Sequence, residues 1–239
     1  MTLNKIKEIK KARIFAELSD ESLAPLAESS RLIHKQHGDI IYNVGDKPDA
    51  LYLVVEGHVR YDIPTQEGQE MFLSVAPATI VFGEQEILSQ STSIARVCII
   101  GNTKLLVLPQ REFLDLFNTE IKLAQALSRQ MAFSTRALSY MMAYHITSPI
   151  DTKLAGLLLQ LGVLIGTEHK NESNHQSILR IELKLSQDEI ANMLAITRQS
   201  VNKYLQRWKK EGWIRIEDGY LELMEVDQLM RETNLRLPF

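Results

Sequence analysis

The segment from Ser186 to Leu223 constrains the fold of this chain most, because several helix and turn signals follow one another there at short intervals. Ser186 is a favoured N-cap residue, and Glu189 stands three residues later, which is the spacing of a capping box. The apolar residues that follow recur at helical intervals: Ile190, Met193 and Leu194. The pattern predicts a short helix that ends at the turn Ala195-Ile196.

A second helix is predicted directly after this turn, with Thr197 as its N-cap. Its apolar positions are Val201, Tyr204, Leu205 and Trp208. The side chains left exposed at its beginning are polar: Arg198, Gln199, Ser200, Asn202 and Lys203. Side chains of these types donate hydrogen bonds to base edges and phosphates. Six Lys and Arg residues against one acid between Arg198 and Arg215 add a local positive charge.

The residues after the second helix predict a two-stranded wing. Gly212 is suited to the C′ position that ends a helix. Residues 213–216 and 220–223 alternate or are apolar, and Asp218-Gly219 between them is a hairpin turn signal. The whole segment is therefore interpreted as a winged helix-turn-helix that binds DNA. The alternative is a helix pair whose polar face is simply solvated.

Composition limits what the rest of the chain can be. With 239 residues it is long enough for two domains with separate cores, and its net charge of −3 means that the positive charge is local. The single cysteine, Cys98, excludes an intramolecular disulfide framework and sites ligated by several cysteines. The N-terminal residues are charged, and the longest apolar stretch, Leu154 to Ile165, contains Gln160 and is too short to cross a bilayer. A cytoplasmic protein without membrane association is expected.

The first half of the chain predicts an antiparallel β domain. A short helix is predicted at residues 20–29. Strands are predicted at residues 40–42, 51–55, 58–63, 71–75, 94–100 and 104–108. The turn glycines between them are Gly38, Gly45, Gly57, Gly68 and Gly83. Strands at this spacing are typical of a sandwich or a barrel.

Residues 110–148 contain neither Gly nor Pro and predict one long helix, which Pro149 ends. Residues at 4-3-4-3-4 spacing form the row of a coiled coil: Leu127, Met131, Ser134, Leu138, Met141 and His145. This row predicts a parallel two-fold dimer, and the alternative is a helix that packs only on its own domain. A second domain then starts with a helix at residues 150–165, followed by a polar loop at 167–177 and a strand at 178–183.

These features together resemble the CRP/FNR family of bacterial transcription regulators over nearly the whole chain. Three runs are similar to its β-roll: residues 38–42, 44–46 and 51–59. Phe82-Gly83-Glu84 resembles the start of its effector-binding cassette, and residues 185–201 resemble its DNA-binding motif. The resemblance implies an α+β fold with an N-terminal antiparallel, jelly-roll-like β-roll sensor domain (residues 1–109). A long dimerisation helix (110–148) and a C-terminal winged helix-turn-helix domain (149–239) follow.

The resemblance also implies how DNA is bound. A homodimer would insert the helix that begins at Arg198 into the major groove, and the partner helix would lie about 34 Å away, so the operator is an interrupted palindrome. By match to the family motif, Arg198, Gln199 and Lys203 fall at base-reading positions, Thr197 and Ser200 at phosphate positions, and Asn202 is a further polar candidate. Many relatives carry Glu where this chain has Gln199, which predicts an altered operator. RNA polymerase is a further candidate partner.

The effector cassette departs from the members that bind cyclic AMP, in which an Arg-Ser pair holds the cyclic phosphate. When this chain is aligned with them on Ala95, the positions of the Arg-Ser pair fall on Ser93 and Ile94. One residue is missing between these positions and the pair Gly83-Glu84. In those members, two adjacent hydroxyl residues of the long helix touch the adenine. The corresponding residues here are Leu138, which lacks the hydroxyl, and Ser139, which has it. Arg96 is predicted to be a surface residue. The effector is expected to be something other than cyclic AMP, a small organic molecule for instance, or absent. The candidate effector-binding residues are Gly83, Glu84, Gln85, Ser93, Leu138 and Ser139.

Other sensor chemistries and functions are less well supported by the residues. The iron–sulfur branch of the family needs several cysteines, so no such cluster is expected, and a haem is not expected either. The candidate haem ligands, His34, His37, His58 and His145, are interpreted as solvated or packed, although His145 in the helix row could respond to pH. No phosphate loop, nucleophile elbow or metal-spaced cluster suggests an enzyme or a metal site. Two alternatives remain: a cyclic-nucleotide-responsive activator, and a ligand-binding module whose winged helix contacts protein.

Overall fold

The structure is a computed structural model that describes residues 2–64, 70–170 and 177–233. The chain divides into two compact units, Met1–Leu138 and Ser139–Phe239. The predicted fold class is confirmed: an antiparallel β domain is followed by helices and a C-terminal helix-turn-helix. Gly68, predicted to lie in a turn, and residues 171–176 of the predicted polar loop lie outside the described residues. The finer three-part division at residues 109 and 148 stays a prediction.

The first unit combines a sheet with five helices among its described residues. The helices are α1 (Thr2–Lys11), α2 (Asp20–Ser29), α3 (Glu84–Ser89), α4 (Gln110–Thr119) and α5 (Ile121–Thr147), which continues into the second unit. The strands are β1 (Arg31–Lys35), β2 (Ile40–Tyr42), β3 (Ala50–Pro64), β4 (Glu70–Ala76), β5 (Val81–Phe82) and β6 (Arg96–Pro109). The sheet order is β1-β6-β3-β4, with β2 on β6 and β5 on β3, and every pair is antiparallel.

The two longest strands each replace two that the sequence predicts. Residues 51–55 and 58–63 belong to one strand, β3, whose register with β6 shifts at Glu56 and again before His58. Gly57 lies at this irregularity with φ +89°, so it marks a bulge and not a turn between strands. In the same way, residues 94–100 and 104–108 fall largely within one strand, β6, which starts at Arg96. Turn glycines and bulge glycines share the positive φ and cannot be told apart by residue type alone.

The unit is stabilised by two apolar clusters. The larger joins α1, α2, α4 and the start of α5 to one part of the sheet; its members include Ile6, Ile9, Phe15, Leu23, Leu26, Leu51, Leu106, Leu108, Phe113, Leu123 and Leu127. The smaller contains Tyr42, Val54, Val59, Phe82, Val97, Ile99 and Leu105. Helix α1 was not predicted, because its charged residues conceal Ile6 and Ile9, which are both buried. Leu127, predicted to belong to the dimer row, is buried in the larger cluster of its own chain.

The predicted continuous helix from residue 110 to 148 is interrupted at Glu120. This residue has extended φ and ψ angles of −102° and 97°, and its N–H donates to the carbonyl of Leu116. Its own carbonyl accepts from the N–H of Leu123 at 3.0 Å, and its carboxylate accepts a hydrogen bond from the Ser22 hydroxyl on α2. Leu116 at the end of α4 and Leu123 at the start of α5 both belong to the larger cluster, so the two helices pack on the same core on either side of the break.

The second unit consists of helices around a small sheet. It contains α6 (Ile150–Ile165), β7 (Gly166–Lys170), β8 (Ser177–Ile181), α7 (Gln187–Leu194), α8 (Arg198–Lys210), β9 (Ile214–Glu217), β10 (Tyr220–Leu223) and α9 (Val226–Thr233). The sheet order is β7-β8-β10-β9, all antiparallel. Helix α6 and strand β10 have the predicted bounds. The predicted strand at 178–183 lies one to two residues earlier, and β7 occupies part of the predicted loop.

Candidate nucleic-acid interface and effector cassette

Local hydrogen bonds set the two helices of the helix-turn-helix as the sequence predicts. The Ser186 hydroxyl accepts from the N–H of Glu189 at 3.1 Å, and the Glu189 carboxylate accepts from the N–H of Ser186 at 2.8 Å, which completes the capping box. The Thr197 hydroxyl accepts from the N–H of Ser200 at 3.2 Å. Between the helices, Ala195 adopts the left-handed conformation with φ +51°. These contacts set where α8 begins and in which direction it runs.

Helix α8 is attached to the unit by one buried face. Val201, Leu205 and Trp208 recur at intervals of four and three residues and are at most 3% exposed. The Trp208 ring stacks on Trp213 with centroids 6.4 Å apart, and the Tyr204 ring lies 6.3 Å from that of Trp208. Burying three large side chains fixes the rotation of α8 about its own axis. The opposite face of the helix must therefore point to solvent.

The exposed face carries the six predicted DNA-binding residues. Thr197, Arg198, Gln199, Asn202 and Lys203 are exposed and Ser200 is half-buried. Helix α8 contains five Lys or Arg residues and no acid. Its positive charge thus lies on a surface that is accessible to a phosphate backbone, although the whole chain has a net charge of −3. Which of these side chains contact bases stays a prediction.

Several of these side chains have partners on the helix-turn-helix itself. The Oδ2 atom of Asp188 on α7 lies 3.4 Å from Nη1 of Arg198. The Gln187 amide donates to Oδ1 of Asn202 at 3.2 Å. The hydroxyls of Thr197 and Ser200 are 2.9 Å apart. Gln187 and Asp188 were not predicted as site residues, because the helical pattern shows only that they lie in the first turn of α7.

The wing has the conformation that its turn residues require. Helix α8 ends in a Schellman motif, in which the N–H of Trp213 donates to the Trp208 carbonyl at 2.8 Å and that of Gly212 to Lys209 at 3.2 Å. Asp218 and Gly219 both have positive φ (+51° and +82°), as a type I′ hairpin turn demands. These two motifs are confirmed where the sequence predicts them.

A chain of hydrogen bonds connects the C-terminal half of α8 to three other helices of the unit. Arg207 donates to the Glu232 carboxylate on α9 at 2.9 Å. The Thr152 hydroxyl on α6 donates to the Glu232 carbonyl at 3.1 Å, and the Tyr144 hydroxyl on α5 donates to the Thr152 carbonyl at 2.6 Å. Burial raises the pKa of Tyr144 to about 12, so this hydroxyl keeps its proton at neutral pH. Helix α9 was not predicted from the sequence.

In the effector cassette, the structure brings Gly83, Glu84 and Ser93 into the interior of the first unit. Gly83 has φ +91° and precedes α3, and Glu84 is 7% exposed. Ser93 is 2% exposed, and its hydroxyl donates to the Glu86 carboxylate at 2.9 Å. The other candidates are placed differently: Gln85, Leu138 and Ser139 are exposed. The Ser93 hydroxyl is therefore already engaged by the Glu86 carboxylate at the cassette.

Four aromatic rings that were not predicted to form a group lie close together near this cassette. Tyr52 stacks on Phe82 with ring centroids 5.1 Å apart, Tyr42 lies 6.3 Å from each of them, and Tyr61 meets Phe82 edge-on at 6.1 Å. Burial, with smaller contributions from Glu86 and Glu84, raises the pKa of Tyr42 above its usual range. The rings come from β2, β3 and β5, so only the fold brings them together.

Arg96, predicted to be a surface residue, is half-buried and forms an ion pair. Its Nη2 lies 3.5 Å from the carboxylate of Asp62, which is 1% exposed, and Arg60 binds the same carboxylate at 2.7 Å. Burial and Asp62 raise the pKa of the Cys98 thiol to about 11. A thiol with this pKa is protonated and unreactive at neutral pH.

The structure describes the four histidines considered as haem ligands, and the surroundings of three of them are clear. His34 and His37 are exposed, and the His37 ring accepts a hydrogen bond from the N–H of Gly101 at 3.4 Å. Burial, with Lys153 nearby, lowers the pKa of His145. The described side chains include no group of three His, Cys, Asp or Glu placed to hold a metal ion. Across the described ranges, no helix is long and apolar enough to cross a membrane.

The buried carboxyl of Glu84 leads to a prediction about stability and pH. Burial, followed by the charge of Glu86, raises the pKa of Glu84 from 4.5 to about 7. Between these pH values the folded state holds a proton that the unfolded state has released. Stability should therefore fall as the pH rises from about 4.5 to 7, by up to about 3 kcal/mol for this group.

Glu84→Gln should remove this loss, because an amide does not ionise. We expect the variant to gain stability relative to the unaltered chain at pH 8 but not at pH 4.5 or below, as measured by urea unfolding. Glu17→Gln, which changes an exposed carboxyl, serves as the control and should leave the pH dependence as it is. If the free energy of unfolding changed with pH in the same way in the Glu84→Gln variant and in the unaltered chain, the prediction would be contradicted.

Both units match families of known proteins. Residues 32–120 match the model of the cyclic nucleotide-binding domain, and residues 152–232 match that of the Crp-like helix-turn-helix domain. The chain is 24% identical over 221 residues to a CRP-like cAMP-activated global transcriptional regulator of Mycobacterium tuberculosis, covering 92% of this chain and 96% of the relative. It is 25% identical over 225 residues to a cyclic AMP receptor protein of Thermus thermophilus, covering 91% and 95%.

Solved structures agree with the sequence matches. The crystal structure of a CRP/FNR-family transcriptional regulator from Thermus thermophilus superposes with a TM-score of 0.64 at 26% identity, covering 86% of this chain and 100% of the other. A CRP/FNR-family protein from Eubacterium rectale superposes with a TM-score of 0.71 at 17% identity, covering 94% and 99%, which is a likeness of fold. With a cyclic nucleotide-binding domain and a Crp-like helix-turn-helix domain in this order, the chain belongs to the CRP/FNR family of transcription regulators.

Proposed function

We propose that this regulator is a homodimer that binds an interrupted palindromic operator through α8 of each protomer. The exposed basic face of α8, opposite the buried Val201, Leu205 and Trp208, is the observation that carries the proposal. In this proposal Arg198, Gln199 and Lys203 read base edges, because their side chains are exposed in the first turns of the helix. Thr197, Ser200 and Asn202 contribute contacts to phosphates or bases. Action on DNA would place the protein in the cytoplasm.

The dimer is proposed from the exposed apolar surface of α5. In this helix, all of which the structure describes, Leu123 and Leu127 are the buried residues. The large apolar residues exposed after them are Met131, Phe133, Leu138, Tyr140, Met142 and Ile146, between 37% and 78% exposed. A helix this apolar normally buries such a surface. A second copy of the same helix fits, because Met131 and Leu138 are seven residues apart, the period of a parallel coiled coil.

The effector of the β-roll is proposed to be a molecule other than cyclic AMP. The Ser93 hydroxyl, which stands at the arginine position of the cassette, donates to the Glu86 carboxylate and offers a cyclic phosphate no positive charge. An anion without a guanidinium partner loses its strongest charge-assisted hydrogen bonds. The relatives named as a cAMP-activated regulator and as a cyclic AMP receptor protein favour the alternative, a cyclic-nucleotide-responsive activator. Isothermal titration with cyclic AMP separates the two: micromolar binding would overturn our proposal.

DNA binding is tested by selection of binding sites from a pool of random duplexes with the full-length protein. We expect two half-sites of inverted sequence, with centres about one helical turn apart. The affinity should fall steeply with salt, because several Lys and Arg side chains displace counterions from the phosphates. Absence of any salt-dependent DNA binding would favour a module whose winged helix contacts protein. The positions of the selected sites relative to promoters would then distinguish activation, with contacts to RNA polymerase, from repression.

Gln199→Glu should change the base preference of the operator. A glutamine donates to and accepts from adenine, whereas a glutamate only accepts, as from the cytosine N4 amino group. We therefore expect the preferred base pair at one position of each half-site to change, with a discrimination of about 1–3 kcal/mol. Binding is measured over a library of half-site variants. An unchanged preference would show that Gln199 does not read a base.

A further inference from the structure

We propose that Asp188 is a specificity-determining residue, because it orients the Arg198 side chain for base reading. Asp188 is the second residue of α7 and Arg198 is the first of α8. The Asp188 carboxylate lies 3.4 Å from Nη1 of Arg198 across the turn. Both side chains are more than 60% exposed, so the pair lies on the surface that is proposed to face DNA. The inference rests on the proposed function and adds a residue to it.

The geometry of the guanidinium explains how the contact would act. Arginine has five N–H donors in a fixed plane, and a guanine in the major groove takes two of them at O6 and N7. Asp188 takes up the Nη1 side of Arg198 and leaves the edge formed by Nε and Nη2 available. A long side chain that is already held near its bound orientation loses less freedom on binding. Asp188 thus prepares Arg198 for a bidentate contact.

The same turn of α7 makes a second contact of this kind. The Gln187 amide donates to Oδ1 of Asn202 at 3.2 Å. With its carbonyl oxygen engaged, Asn202 presents its amino group, which suits acceptors such as guanine O6, thymine O4 or a phosphate. Bidentate recognition of adenine needs both groups of the amide and is disfavoured. Two neighbouring residues of α7 therefore restrict two side chains on the exposed face of α8.

A contribution to folding stability does not explain why Asp188 and Arg198 form an ion pair. Exposed ion pairs contribute little to folding, because water and salt screen them. On a surface that approaches phosphates, a carboxylate also weakens binding to DNA of every sequence. The expected contribution of Asp188 is consequently to discrimination between sequences and not to overall affinity.

The experiment compares variants of the full-length protein on duplexes of defined sequence. The duplex selected by the unaltered protein serves as the operator, and Arg198→Ala identifies the base pair whose preference depends on Arg198. Asp188→Asn and Asp188→Ser remove the carboxylate in two ways, and Asp188→Glu keeps it. Asp227→Asn removes an exposed acid from the first turn of another helix, α9, and is the matched control. Urea unfolding identifies any variant that is not folded.

We expect Asp188→Asn and Asp188→Ser to reduce the preference at this base pair at least about five-fold, while binding to an unrelated duplex stays equal or becomes tighter. Asp188→Glu should keep most of the preference, and Asp227→Asn all of it. If the carboxylate only offsets positive charge, both variants will bind all duplexes more tightly with unchanged preference, and the inference is overturned. An unaltered protein that selects no sequence would instead overturn the proposed function itself.

Discussion

The Leu138→Lys variant is expected to be a monomer with greatly weakened operator binding, under conditions in which the unaltered chain is a dimer. Leu138 is 63% exposed in the single chain, so lysine should be accommodated without loss of folding. In a parallel dimer the two copies of this residue would face each other near the axis. The change removes two buried leucines and brings two ammonium groups together, at a cost of roughly 4 kcal/mol, or about a thousand-fold in dimerisation.

Sedimentation equilibrium measures the oligomeric state without any effector, so the result does not depend on the second role proposed for Leu138. Gln125→Lys adds the same charge to an exposed position of α5 outside the apolar row and should leave the dimer intact. Operator affinity is measured on the same preparations and should fall with dimerisation. A Leu138→Lys protein that remains dimeric at low micromolar concentration would show that α5 is not the dimer interface.

The second large effect is expected for Gly57→Ala, which should lower the free energy of unfolding by roughly 3–5 kcal/mol. Gly57 has φ +89°, which costs any residue with a Cβ atom. The added Cβ would lie 2.6 Å from the carbonyl oxygen of Asn102 and would overlap Oγ1 of Thr103. The Thr103 hydroxyl accepts from the N–H of His58 and donates to the carbonyl of Ile100. Its displacement would leave buried backbone groups without their partners.

Gly38→Ala provides the matched control for the backbone conformation. Gly38 has nearly the same φ, +87°, but a Cβ there would meet no atom within 4 Å. Its replacement should cost only the conformational part, about 1–2 kcal/mol. The difference between the two variants in urea unfolding measures the steric part at Gly57. Equal losses would mean that the contact between β3 and β6 relaxes at little cost.

The helix-turn-helix could be predicted in detail because its determinants are local. A cap, an apolar interval of three or four residues and a hairpin turn each involve neighbours in sequence. Ser186, Thr197, Gly212 and the Asp218-Gly219 turn all have the predicted conformation. The buried face of α8 also follows from periodicity alone. The contacts of Asp188 with Arg198 were not predicted, since they depend on how α7 and α8 cross.

Several features of the first unit were not predicted, because they depend on residues that are distant in sequence. The residues around Glu120 include no Gly or Pro that would predict a break in the helix. The contact that stabilises the break comes from Ser22 on α2, which is distant in sequence. Gly57 reads as a turn residue, but the opposite strand makes it a bulge. The aromatic group of Tyr42, Tyr52 and Phe82 joins segments up to 40 residues apart in sequence. Residues distant in sequence would line the site of the proposed effector, so the sequence does not predict what this site would bind, whereas the departure of the cassette from the family pattern is visible in the sequence.

The hydrogen bonds from Tyr144 through Thr152 and Glu232 to Arg207 have a mechanical consequence. They join the end of α5, α6, α9 and α8, and they measure between 2.6 and 3.1 Å. We expect helices cross-linked in this way to resist bending or twisting against one another within the second unit. In the homodimer proposed above, a stimulus that regulates DNA binding would then change the separation and tilt of the two helix-turn-helix domains and leave the internal shape of each domain unaltered.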